Sequence, residues 1–113
     1  MSTHGRRWTL YDRYGNEIYV TQERWKHIID PFNHPEMEDY EEHLQITLKQ
    51  GRRQQEPLNP RKYRYSHFFA GLPDDVNHVL AIVLFGFDVD AEGQPQPNNY
   101  LVTAFFKYMR PKK

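Results

Sequence analysis

HVLAIVLFGF, residues 78–87, is the stretch whose reading decides the fold. Its apolar part, VLAIVLFGF (79–87), is the longest such run in the chain. It is far too short for a membrane-spanning helix, which takes about 20 residues. A continuously apolar run of this length between turn formers reads instead as a central strand covered on both faces. Its neighbours in sequence support that reading. Upstream, RKYRYSHFF (61–69) alternates, with Tyr63, Tyr65 and His67 on one face and Arg64, Ser66 and Phe68 on the other. GLPDDVN (71–77) supplies the turn that makes these two strands a hairpin. Downstream, YLVTAFFKYMR (100–110) is a third strand, reached through DVDAEGQPQPNN (88–99), read here as a long, polar, mobile connection. The three strands form an antiparallel meander.

Working back toward the N-terminus, WTLYDRYGNEIYV (8–20) reads as a hairpin, with Gly15 and Asn16 suited to a turn that needs positive φ. Thr21 caps a short helix, QERWKHIID (22–30), whose apolar stripe is Trp25, Ile28 and Ile29. Pro31 stops it, because proline disfavours helical geometry in the residue before it. NHPEMEDYEEHLQITLKQG (33–51) reads as a second helix with Pro35 in its first turn and Gly51 at its stop. Its buried stripe is Met37, Tyr40, Leu44 and Leu48, and its acidic run reads as a solvated face placed favourably for the helix dipole. RRQQEPLNP (52–60), with two prolines and no periodicity, reads as a linker. Helices segregated to one side of a mostly antiparallel sheet define an α+β fold. The expectation is one compact domain over residues 1–113: an N-terminal hairpin and two helices packed on one face of that sheet.

Composition narrows the functional classes. Apolar residues make up 38% and aromatics 15%, which predicts a core rich in tyrosine and phenylalanine rather than leucine. There is no cysteine, so thiolate metal sites and disulfides are excluded and a reducing compartment fits. MSTHGRRWTL (1–10) has no apolar signal segment, so a soluble, cytoplasmic protein without a membrane partner is expected. The formal net charge is zero, but the charges are segregated: EMEDYEE (36–42) holds five acids, whereas KQGRRQQEPLNPRKYR (49–64) holds six bases and one acid. Segregation creates a local field even where the sum cancels.

Three groups of residues could carry chemistry. The final strand places a hydroxyl, Thr103, inside an apolar run and cations, Lys107 and Arg110, at its far end, as the floor of an anion site would. Simple alternation puts Leu101, Thr103, Phe105 and Lys107 on one face, with Thr103 and Lys107 about 13 Å apart. The plainer reading is that Thr103 is a good β former bonded to a neighbouring carbonyl. His27 lies off the Trp25 stripe at the rim of an apolar face, a position open to acid–base work, or it is a structural histidine bonded to a carbonyl. Arg61, Lys62 and Arg64 lead into Tyr63, Tyr65 and His67, a basic-aromatic pattern suited to phosphates and unpaired bases. The histidines show no metal-ligand spacing, His34 before Pro35 serves local geometry, and neither a phosphate loop nor a gripping carboxylate pair is present. No metal or cofactor is therefore expected.

The order of these features resembles the barnase–EndoU–colicin–RelE group of nucleases, and within it the compact phage- and mobile-element-type branch. The matching residues are DRYGNEIYVTQERWKHI (12–28), HPEMEDYEEHLQITL (34–48), YRYSHFF (63–69), VLAIVLFGF (79–87) and YLVTAFF (100–106). The resemblance implies a small metal-independent endoribonuclease, a toxin-type effector that cuts RNA such as tRNA and is met by an antitoxin- or immunity-type protein partner. It also implies roles: His27 and His67 as acid and base, Thr103 as a donor to a phosphate oxygen, Arg64 and Lys107 as charge stabilisers, and Arg61, Lys62 and Tyr65 as further substrate contacts. Phe105 departs from the pattern, since a tyrosine is common there and its hydroxyl is lost. The alternative within the same fold is a catalytically inactive domain that binds RNA or a protein.

Overall fold

The computed structural model describes residues 5–110, and the fold over these residues is α+β. The chain runs β1 (Arg6–Tyr11), β2 (Glu17–Thr21), α1 (Gln22–Ile28), a 3₁₀ helix (Pro35–Tyr40), α2 (Glu41–Gln50), β3 (Arg52–Glu56), β4 (Asn59–Phe68), β5 (His78–Leu84), β6 (Phe87–Val89), β7 (Pro95–Pro97) and β8 (Tyr100–Lys107). Six strands form one sheet in the order β1-β2-β8-β5-β4-β3. Every pair is antiparallel except β2 and β8, which run parallel and meet at the single pair Tyr19 and Tyr100. Asn99 fastens that junction: buried, it donates to the Glu17 carbonyl (2.9 Å) and accepts from the Gly86 amide (3.3 Å).

The expected hairpin, both helix stripes and the meander β4-β5-β8 are all present. Thr21 caps α1, its hydroxyl accepting from the Arg24 amide at 3.0 Å. Trp25 and Ile28 are buried, as are Met37, Leu44 and Leu48. The second helical segment divides because its stripe changes spacing. Met37 to Tyr40 is three residues, the 3₁₀ repeat, and Leu44 to Leu48 is four, close to the α repeat. Gly51 ends α2 in an extended conformation and leads straight into β3. A Cβ there would lie 2.4 Å from the Thr47 carbonyl oxygen and 2.5 Å from that of Ser66, so the helix-to-strand corner admits only glycine.

Four expectations need correction. RRQQEP is not a linker: residues 52–56 form edge strand β3, whose outer side needs no apolar partner, so the polar sequence hid it. Residues 88–99 are not a featureless loop, because Phe87–Val89 and Pro95–Pro97 pair as a small second sheet around an Asp90 turn. The buried core is mainly aliphatic; among its residues only Trp25 and Tyr65 are aromatic, while Trp8, Tyr40, Tyr63, Phe69, Phe85 and Phe106 pack around its rim. Large rings fit best where one edge stays exposed. Finally, the acidic run is not wholly solvated. Glu41 turns back to accept from Arg7 and from the Trp8 indole (2.7 Å), tying α2 to β1. The Arg7 hydrogen bond holds the Glu41 carboxyl below its usual range against the opposing effect of burial.

The helices cover one face only. Val79, Ala81 and Val83 of β5 point into the core beneath the helices, so His78, Leu80, Ile82 and Leu84 point to the face without helices, where Leu80 is nonetheless buried. Ile82 pairs with Thr103 but Val83 with Leu101, which makes Val102 the extra residue of a β-bulge. The bulge turns Leu101 into the core and leaves Thr103, Phe105 and Lys107 on the open face, breaking the simple alternation.

Candidate functional site

On the open face, the ends of β3, β4, β5 and β8 enclose a hollow of about 900 Å³. Its cationic lining is Arg13, Arg52, Arg53, Arg64, Lys107 and Arg110, joined by His67 and His78; no carboxylate lines it among the described residues. Register explains the convergence. Arg52, Ser66 and Leu80 lie in one row across β3, β4 and β5, Gln54 and Arg64 lie in the next, and Lys107 sits opposite His78. Side chains in register on one face stand close together, so Arg52, Arg64 and Lys107 reinforce one field, whereas Arg53 and His67, opposite Tyr65 and Val79, turn to the helix-covered side.

Two of the cations are already engaged by acids outside the hollow: Arg64 Nε is 3.7 Å from Glu56 and Arg53 is 4.0 Å from Asp12. Arg53 also lies over the rings of Tyr14 (4.5 Å) and Tyr63 (4.6 Å). Arg13 donates to the Gln50 carbonyl at 3.3 Å. Arg13, Arg52, Lys107 and Arg110 form no ion pair among the described residues.

His78 is half-buried, and its Nδ1 lies 2.8 Å from Asn77 Oδ1. That oxygen also accepts from the Met109 amide at 2.9 Å, which fixes the Asn77 amide and makes His78 Nδ1 the donor. Nε2 is then the unprotonated nitrogen of the neutral ring. Burial first, and the neighbouring His67 second, push the His78 pKa down, which keeps the ring neutral near pH 7. His67 Nδ1 meets the Phe68 carbonyl at 2.7 Å, and its ring packs 4.7 Å from Phe69, toward the helix side.

The residues singled out from sequence part company here. His67, Arg64 and Lys107 line the hollow. His27 does not: it is exposed on α1 beside a separate depression formed with Thr21, Glu23 and Arg24. Thr103 lies on the open face opposite Ile82, outside the hollow lining. Arg61 spends its Nε on the Phe85 carbonyl (3.0 Å), and Lys62 pairs across to Leu84 beyond the hollow.

Tyr65 is fully buried and corrects the expectation of a stacking residue. Its hydroxyl donates to Asp12, and it has no ring face to offer a base. Burial and the Asp12 carboxylate push that hydroxyl far above the tyrosine range. Burial pushes Asp12 up, but donors from Tyr65, Asn16 and Tyr14 outweigh it and hold the carboxyl below its usual value. Sequence reading missed His78, hidden at the start of the apolar run. It also missed Arg52 and Arg53, assigned to a linker. The hairpin turn at 71–77 was the available signal for His78, since it brings the ends of β4 and β5 together.

No group of three or more His, Asp or Glu side chains is placed to hold a metal among the described residues. No described helix is long and apolar enough to cross a membrane. The sequence matches no protein-family model, and neither a curated protein nor a solved structure is significantly similar to it. Fold and site together define a small α+β protein with a helix-covered face and a cationic open face.

Proposed function

We propose that this chain is a small endoribonuclease that takes a single RNA strand across its open sheet face. The observation that carries the reading is the hollow itself, lined by six cationic residues and by His67 and His78, with no carboxylate in its lining among the described residues. Phosphate backbones are held by such clusters, and a carboxylate in their midst would oppose binding. In the reaction, His78 Nε2 takes the proton of a ribose 2′-OH as the 2′ oxygen attacks phosphorus. The bond from phosphorus to the 5′ oxygen breaks, and that oxygen takes a proton from His67, whose ring must first turn from Phe69 to the open side. The products are a 2′,3′-cyclic phosphate and a free 5′-OH. Arg64 and Lys107 offset the charge that builds on the phosphoryl oxygens.

A second reading, an RNA-binding domain that does not cut, is favoured by one observation. The His67 ring is turned toward Phe69 while His78 faces the open side, so acid and base leave the hairpin end on different sides. Incubation with total tRNA in EDTA separates the two. Cleavage that leaves cyclic phosphate ends, is lost in His78→Ala and is kept in His27→Ala supports the enzyme. Bound but intact RNA supports the silent binder, and absence of binding removes both. Cytoplasmic location, a toxin-type role and an acidic antitoxin- or immunity-type partner that covers the hollow belong to this proposal as well.

A further inference from the structure

The open face carries a second concavity, at the end away from the hollow. Tyr19 and Tyr100 are partners across the one parallel bridge of the sheet, so both rings project to the side opposite Ile18, Val20 and Leu101. Just past that bridge β2 gives way to α1 at Thr21, and the two strands part. The gap is a cavity of about 200 Å³ lined by Tyr19, Thr21, Arg24, Tyr100 and Leu101.

The two rings are 6.3 Å apart and inclined at 46°, too tilted to stack on each other. Tyr19 is held rigidly: its hydroxyl donates to Asn98 (2.6 Å), and the Arg6 guanidinium lies 3.8 Å from its ring centroid. Tyr100 makes no comparable bond among the described residues and is half-exposed.

We infer that this cavity receives an unpaired nucleobase, stacked on Tyr100, from the same strand whose backbone lies in the hollow; this rests on the RNA reading of the hollow. A tyrosine ring offers a π-face to any base, so the site selects single-stranded over paired RNA rather than one sequence. Arg24 at the mouth meets the phosphate attached to that base. The register sets the reach. Tyr100 pairs with Leu84 and Lys107 with His78, so the two ends are six residues apart along β5, or about 20 Å at the usual strand rise. A strand a few nucleotides long spans that distance over Leu84, Ile82 and Thr103.

The test is fluorescence anisotropy with a short 2′-O-methyl oligonucleotide, which cannot be cut, and an abasic oligomer of equal length. Tyr100→Ala is expected to weaken the base-bearing oligomer about 5- to 100-fold, the usual worth of one stacked base. The abasic oligomer and the salt dependence stay unchanged, and Tyr100→Trp restores binding. Equal loss for both oligomers, loss for neither, or failure of the tryptophan variant to rescue overturns the base site. If wild-type protein binds the abasic oligomer as tightly as the base-bearing one, the base site falls while the cationic hollow stands. If it binds neither, both fall.

Discussion

Replacing Arg52 and Lys107 together by glutamine should flatten the salt dependence of RNA binding by a predictable amount. Both residues line the hollow, both are exposed, and neither forms an ion pair among the described residues. On a single strand each neutralised phosphate contributes a slope of about −0.7 in log affinity against log salt. The four unpaired cations alone then give about −3, and all six lining cations about −4. Between about 50 and 200 mM salt, wild-type affinity should fall roughly 50- to 300-fold. The double variant should lose about 1.4 from the slope, with the largest loss of affinity at low salt. Anisotropy with an uncleavable oligonucleotide measures both, and Lys26→Gln, a charge removed from exposed α1 outside the hollow, is the control. A wild-type slope shallower than about −1, or an unchanged slope in the double variant, refutes the assignment of the hollow to a phosphate backbone.

Three further outcomes follow from the geometry. Tyr65→Phe removes one donor from the buried Asp12 carboxylate, which keeps Asn16 and Tyr14 as donors, so urea unfolding at pH 7 should show a loss of about 1.5–2 kcal/mol. Because Asp12 has a lowered folded-state pKa, its contribution is present above the unfolded value and lost as pH falls through the folded one. In Tyr65→Phe that loss should be smaller and complete at higher pH, and a pH-independent difference would contradict the pairing. Gly51→Ala should cost about 1–3 kcal/mol in the same assay, since the new methyl meets two backbone oxygens that cannot move independently; an unchanged midpoint would show that the corner relaxes. If cleavage is found, the acid limb of its pH profile should lie below the unperturbed histidine value of about 6.5, because His78 must be neutral and its pKa is pushed down; a limb above that value would exclude His78 as the base.

Much of the architecture was legible because it is carried by local periodicity. The run at 79–87 marked the central strand, though β5 ends at Leu84, Phe87 opens β6 and helices cover only one face, and Trp25, Ile28, Leu44 and Leu48 marked their helix faces by spacing alone. Edge strand β3 and the hairpin β6-β7 were not legible, because each is polar or proline-bearing and is specified by its pairing partner rather than its own pattern. The site was legible in kind but not in membership. The segregated bases between 49 and 64 and the cations Lys107 and Arg110 were read as separate features, and the structure sets Arg52, Arg53, Arg64, Lys107 and Arg110 around one hollow.

Membership depended on register. Alternation sent Tyr65 into the core and Arg64 outward, and a single extra residue, Val102, separated Leu101 from Thr103. His27 stood out in sequence for its helix context, yet the direction of α1 leaves it beside Arg24, away from the hollow. His78 was unremarkable in sequence, yet strand pairing sets it opposite Lys107. The amino-acid order alone determined which segments bury and which stay wet, since burial patterns follow the 3.6- and 2-residue repeats of the backbone. Only the tertiary structure decided which charges meet, because strand pairing joins residues far apart in the chain and one bulge is enough to change the face they share.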